Sequence, residues 1–186
     1  MKRLFVAVKI APGENFLKTY YSLKKDLKNE KIKWVEPQNM HITLKFLGET
    51  HHDKIPLIEN VLKRVAINNS SFGFSVENTG VFGSRYNPRV LWFGINNNKQ
   101  LKNLGEEIID ALDAAGFKRD RQNFVPHLTV GRIKFLESKK YFQRVVDGYK
   151  NVFFQNVEVN KFYLYESILK STGPVYHPLK EFSLNA

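Results

Sequence analysis

The sequence predicts an α+β fold built from two related lobes, and three observations carry that prediction. Strand-like and helix-like segments alternate along the whole chain. One strand–helix–strand interval occurs twice, since 38 residues separate Arg3 from His41 and Arg89 from His127. No linker, low-complexity tract or charge block divides the 186 residues. Residues 1–186 are therefore expected to form a single domain of two pseudo-symmetric lobes.

Each element follows from its own pattern. Arg3–Ile10 is nearly continuously apolar and reads as a strand. Residues 14–29 carry Phe16, Leu17, Tyr20, Leu23 and Leu27 at helical spacing, with lysines opposite. Ile32–Val35 is a short extended piece closed by Pro37, and Met40–Leu47 alternates as a strand does. A second helix is expected from about Asp53, taken as its N-cap, with Ile55, Ile58, Leu62 and Val65 on one side. Phe72–Glu77 and Arg89–Asn96 read as strands around a connection at 79–88 rich in Gly, Ser, Asn and Pro. Leu101, Leu104, Ile108, Leu112 and Ala115 mark a third helix ended by Gly116. Pro126–Ile133 is a strand, and a helix is expected near 137–147. Strands are expected near 152–157, 160–168 and 175–183, the last two flanking a Ser171-Thr172-Gly173-Pro174 turn.

Composition narrows the function. With 42% hydrophobic and 13% aromatic residues the chain buries a real core, which excludes disorder. The absence of cysteine removes disulfides, thiolate nucleophiles, Fe–S clusters and the commoner structural zinc sites. The apolar run Leu4–Val8 is too short for a secretion signal, and nothing else approaches a membrane span. A soluble, cytoplasmic protein is expected. Its formal charge of +11 favours phosphate-rich partners. Basic residues cluster at Lys24-Lys25, Lys63-Arg64, Lys118-Arg119-Asp120-Arg121 and Lys139-Lys140. Of these, Arg119 and Arg121 lie close enough in sequence to His127 to be candidates for touching such a partner.

The chemistry is concentrated in two triplets. His41-Ile42-Thr43 and His127-Leu128-Thr129 both sit inside apolar strands. A period of two puts His41 and Thr43 on one face, with Ile42 and Leu44 on the other, and treats the second triplet alike. Two imidazoles in one site can be held one neutral and one protonated, the equipment of a general base and a general acid. Threonine hydroxyls donate to phosphoryl oxygens, and Arg132 can neutralise charge there. Arg132 is an odd number of residues past His127, so a bulge or strand end at Gly131 is needed to aim it inward. No carboxylate lies in either motif, and no metal is expected. The adjacent His51 and His52 read as surface. Phe5, Phe46, Tyr86 and Trp92 are candidates for stacking on a base, with core packing as the alternative.

The paired HxTx tetrads on a duplicated chain resemble the two-histidine phosphoesterase superfamily. The closer likeness is to its LigT-like branch, the RNA 2′,3′-cyclic phosphodiesterases also called 2′-5′ RNA ligases. It rests on RLFVAVKI at the start, NMHITLKFLGET at 39–50, NPRVLWFGI at 87–95, FVPHLTVGRIKF at 124–135 and SILKSTGPVYHPLKEF at 167–182. The resemblance implies a bilobal fold with two antiparallel sheets lining a central cleft and helices on the outer faces. It also implies metal-independent hydrolysis of an RNA 2′,3′-cyclic phosphate to a 2′-phosphomonoester, without a cofactor. On that footing His127 is the proton acceptor that activates water and His41 the proton donor to the departing 3′ oxygen. Thr43, Thr129 and Arg132 hold the phosphate. The expected partner is RNA with a cyclic phosphate terminus, met by a monomer without membrane association. Two alternatives stay open: a phosphoesterase or 2′-5′ ligase for another cyclic or 2′-5′-linked nucleotide, and a non-catalytic module that grips RNA ends.

Overall fold

The computed structural model describes residues 1–84, 86–120, 123–171 and 173–186. Two antiparallel sheets are built in it. The first has the order β3-β1-β8-β9, from β1 (Lys2–Lys9), β3 (His41–Thr50), β8 (Lys161–Lys170) and β9 (Gly173–Ser183). The second has the order β2-β6-β5-β4-β7, from β2 (Lys31–Trp34), β4 (Phe72–Ser84), β5 (Asn87–Asn96), β6 (His127–Phe135) and β7 (Phe153–Val159). The α+β class and the paired antiparallel sheets are as the sequence predicts.

The helices cross between the sheets. Helix α1 (Glu14–Asp26) follows β1 of the first sheet but packs on the second, where Phe16 meets Phe93 and Phe154. The Tyr20 hydroxyl donates to the Val35 carbonyl at 2.9 Å just beyond β2. Helix α3 (Lys99–Ala114) follows β5 of the second sheet but contacts β3 of the first. Helix α2 (Ile55–Ile67) lies against α3 and β9, and α4 (Lys139–Gly148) lies against β4, where Thr79 Oγ1 donates to the Val146 carbonyl at 2.8 Å. One continuous buried cluster results, running from Val6 and Ile42 through Leu62 and Leu104 to Phe93 and Leu128. The two sheets share that core. Among the described residues no helix is long and apolar enough to cross a membrane.

Three local expectations are corrected. Asp53 does not cap α2. Residues His52–Lys54 form a 3-10 turn instead, Pro56 fixes the backbone of the helix start, and the Asp53 carboxylate pairs with His51 at 3.4 Å. The connection expected at 79–88 is mostly strand, because β4 and β5 continue as one hairpin to Ser84 and Asn87. Its glycines serve that hairpin: a Cβ at Gly80 would stand 2.1 Å from the Trp92 ring, and Gly83 holds φ +115. Helix α1 ends at Asp26 rather than near residue 29. Within the expected 171–174 turn, Thr172 lies outside the described residues.

Candidate functional site

His41 opens β3 and His127 opens β6, and the two strands touch although they belong to different sheets. Their first six residues share one burial pattern: half-buried His and Thr alternate with a buried apolar residue, two more buried positions follow, and then an exposed one. Register explains it. Opposite β1, the pairing steps from Ala7–Thr43 to Val6–Lys45 and skips Leu44; opposite β5, it steps from Trp92–Thr129 to Leu91–Gly131 and skips Val130. Each skip is a bulge that shifts the side-chain phase by one. After it Gly131 turns into the interior and Arg132 turns out to the face of His127 and Thr129, the re-aiming the sequence required. Gly131 is needed there because a Cβ would lie 2.7 Å from Ile32 Cγ2 on the adjoining β2.

The same phase shift in β3 sends Lys45 inward and Phe46 out, so the first lobe has a phenyl ring where the second has Arg132. Lys45 is buried, and its ammonium donates to the Lys118 carbonyl at 2.8 Å and to Asp120 Oδ2 at 3.0 Å. The first lobe thereby ties down the segment that leads to His127.

Both imidazoles are held alike. His41 Nδ1 donates to the Asn39 carbonyl at 2.7 Å, and His127 Nδ1 donates to the Val125 carbonyl at 2.8 Å. A carbonyl oxygen can only accept, so Nδ1 carries a hydrogen in each ring and Nε2 is left for chemistry. The His41 ring lies 5.1 Å from Phe5 and 5.0 Å from Tyr176, and the His127 ring stands edge-on to Phe82 at 4.7 Å. Burial holds both imidazoles below the ordinary 6.5; the carbonyl bonds pull them up, and the charge of Arg132 pushes both down again. His127 also lowers His41, so the two rings and the guanidinium share one electrostatic environment.

Other candidates are placed elsewhere. His51 and His52 are exposed, the latter 3.3 Å from the N-terminal amine. Arg119 is paired with Glu106 and Asp110 of α3. Arg121 lies outside the described residues. Phe5 is buried beneath His41, Tyr86 is 80% exposed at the β4–β5 turn, and Trp92 is half-buried against Phe82. Phe46, at 55% exposure, is the candidate that stays open on the site's face. Sequence reasoning missed Tyr176, although Tyr163 and Tyr165 two apart already mark an aromatic face on the neighbouring strand. Among the described residues no cluster of three or more His, Cys, Asp or Glu side chains is placed to hold a metal ion.

Known proteins resemble this chain in sequence and fold. The profile of the LigT-like phosphoesterases matches residues 8–92 and 94–176, stretches that contain one HxT triplet each. A Methanocaldococcus jannaschii protein named RNA 2′,3′-cyclic phosphodiesterase is 36% identical over 97% of this chain and 99% of its own length. An Archaeoglobus fulgidus protein of the same name is 36% identical over 97% and 99%. Among solved structures, a Thermus thermophilus protein superposes with a TM-score of 0.80 at 27% identity, covering 99% of this chain and 98% of that one. Escherichia coli LigT, crystallised with 3′-AMP, has the same fold at a TM-score of 0.79 and 23% identity, covering 100% and 99%. With a profile that spans both motif strands and relatives matched from end to end, this chain belongs to the LigT-like phosphoesterase family.

Proposed function

We propose that the protein hydrolyses the 2′,3′-cyclic phosphate at an RNA terminus and leaves a 2′-phosphomonoester. The observation that supports this most is the matched pair of imidazoles, each with Nδ1 tied to a carbonyl and Nε2 left for proton transfer. The relatives named RNA 2′,3′-cyclic phosphodiesterase supply the substrate class.

In the proposed step, water attacks phosphorus while His127 Nε2 takes its proton. The P–O3′ bond breaks in line, and O3′ takes a proton from His41 Nε2. Thr43, Thr129 and Arg132 bind the non-bridging oxygens, where charge accumulates in the transition state. Acid, base and cation are all side chains, so the reaction needs no metal. Solvent exchange resets the two rings after each turnover. Burial keeps both imidazoles neutral near pH 7, which suits His127 as the base; the phosphodiester anion raises His41 toward its charged form on binding. Both halves of the site come from one chain, which fits a monomer acting on RNA in the cytoplasm.

The test is a short RNA ending in a 2′,3′-cyclic phosphate, incubated with excess EDTA, with the product terminus identified. A 2′-phosphate formed by the wild type and lost in His127→Ala is expected. Binding without product would instead favour the RNA-end-gripping module.

A further inference from the structure

His41 and Tyr176 lie on the two outer strands of the first sheet, β3 and β9, yet their rings stand 5.0 Å apart. In a flat sheet those strands would be three spacings apart, about 14 Å. The ladders account for the closure. β8 pairs with β1 only from Tyr163 to Glu166, whereas its pairing with β9 runs on to Lys170 and Gly173. The end of the β8–β9 hairpin is therefore free of β1 and curls over the cleft face, where Tyr176 meets Phe5 edge-on at 5.0 Å. Its tip reaches the other lobe, since a Cβ at Gly173 would lie 3.7 Å from Lys33 Nζ on β2.

Asn39 joins that hairpin to His41. The chain leaves the second sheet after Val35, whose N–H donates to the Val130 carbonyl, and enters the first at His41. Between them Pro37–Asn39 make a single 3-10 turn. From this crossing Asn39 makes two bonds in opposite roles. Its backbone carbonyl accepts from His41 Nδ1 at 2.7 Å, and its side-chain Nδ2 donates to the Pro174 carbonyl at 3.3 Å, two residues before Tyr176. The hairpin thus bears on His41 twice, once through the Tyr176 ring and once through Asn39. The second lobe does this differently: Val125, whose carbonyl serves His127, has an apolar side chain that is 57% exposed.

We propose that Asn39 is a positioning residue for His41: its amide, latched to the hairpin, keeps its own carbonyl on Nδ1 and so selects the nitrogen that faces the substrate. Which imidazole nitrogen carries the hydrogen is set by the bond the other makes. Once His41 has given up its Nε2 proton, the carbonyl holds the tautomer that remains, and the ring is recharged only at Nε2. That consequence for turnover rests on the reaction proposed above, whereas the tautomer itself does not. The same bond pulls His41 up against the effect of burial, so the latch also bears on where the acid titrates.

The test reads the ring directly. Long-range 15N–1H NMR of the full-length protein, at a pH where both imidazoles are neutral, distinguishes the Nδ1–H from the Nε2–H tautomer at each histidine. The wild type is expected to show Nδ1–H at His41 and at His127. In Asn39→Leu, similar in size but without a donor, His41 should become a mixture of tautomers while His127 keeps Nδ1–H. On a cyclic phosphate RNA the same variant should lose about tenfold in kcat with KM little changed, less than a general acid is worth in full. The alkaline limb of its kcat/KM profile should move to lower pH, because His41 loses the bond that raised it. Asn39→Gln keeps an amide and should return part of both the tautomer and the rate. A single Nδ1–H tautomer at His41 in Asn39→Leu overturns the proposal, as does an equal change at both histidines, the mark of a general loosening. Failure of the wild type to hydrolyse a cyclic phosphate would count against the proposed reaction and would leave the tautomers readable.

Discussion

Leu44 on β3 and Val130 on β6 occupy the same place in two bulges, each three residues beyond the motif histidine of its strand. Both side chains are buried, at 2% and 0% exposure, and both displace everything that follows by one position. The displacement brings Arg132 to the site on one side and Phe46 on the other. One backbone device thus serves both lobes, and the residue two places later decides what each lobe contributes.

Arg132 is the test of that asymmetry. Arg132→Ala is expected to lower kcat by about 10²–10³-fold, the cost of removing one preorganised donor to a charged transition state. Arg132→Lys restores part of the loss, because charge returns without the bidentate fork. Steady-state kinetics on a cyclic phosphate RNA checks both variants.

The depressed imidazoles make two pH predictions. Unfolded histidines titrate near 6.5 and the folded pair lies below it, so between those limits the unfolded chain holds more protons. Stability is full above pH 6.5 and is lost as pH falls through the folded-state values. Tm should therefore drop in mild acid, and His41→Gln should shrink that drop. For the rate, kcat/KM reports the free enzyme's two rings, so its bell should peak on the acid side of 6.5. A peak above pH 7 would count against two depressed imidazoles.

Gly105 acts on the site from a distance. It lies on α3 beneath Phe124, where a Cβ would stand 2.2 Å from the ring. Phe124 precedes Val125, whose carbonyl holds His127. Gly105→Ala must push Phe124 out, at a cost of about 1–3 kcal/mol for overpacking. A lower Tm together with a lower kcat on the cyclic phosphate substrate is expected, with no substitution inside the cleft.

The shared core predicts cooperativity. We propose that residues 1–186 unfold as one domain, in a single calorimetric transition, because the buried cluster includes residues of both sheets and of all four helices α1–α4. Lys45→Met should move that transition whole rather than split it. Asp120→Ala should cost more than Lys45→Met, since it leaves a buried ammonium with one carbonyl for company.

The site was legible because strands advertise themselves with a period of two, and His41, Thr43, His127 and Thr129 needed nothing beyond that period. Arg132 was legible only as a condition, since a bulge leaves little mark except in the ladder it interrupts. Lys45 was not legible at all. A lysine in an alternating strand reads as solvent-facing until the phase slips beneath it. The membership of β2 in the second sheet was equally hidden, because Ile32 and Trp34 record burial but not the strand they pair with. The 79–88 segment was misread for a chemical reason: its glycines make room for Trp92 and for a left-handed turn within a hairpin, and composition alone cannot separate that use from a loop.

The order of the strands fixes the order in which a nascent chain can finish its work. All five strands of the sheet bearing His127 lie between Lys31 and Val159, so that sheet can close while the C-terminal segment is still being made. The sheet bearing His41 waits for β8 and β9, and until they arrive β1 presents a bare edge and Phe5 an uncovered ring. The sheet bearing His41 is thus the last part of the fold to be built, and an incomplete chain lacks the strands that flank β1 on that side.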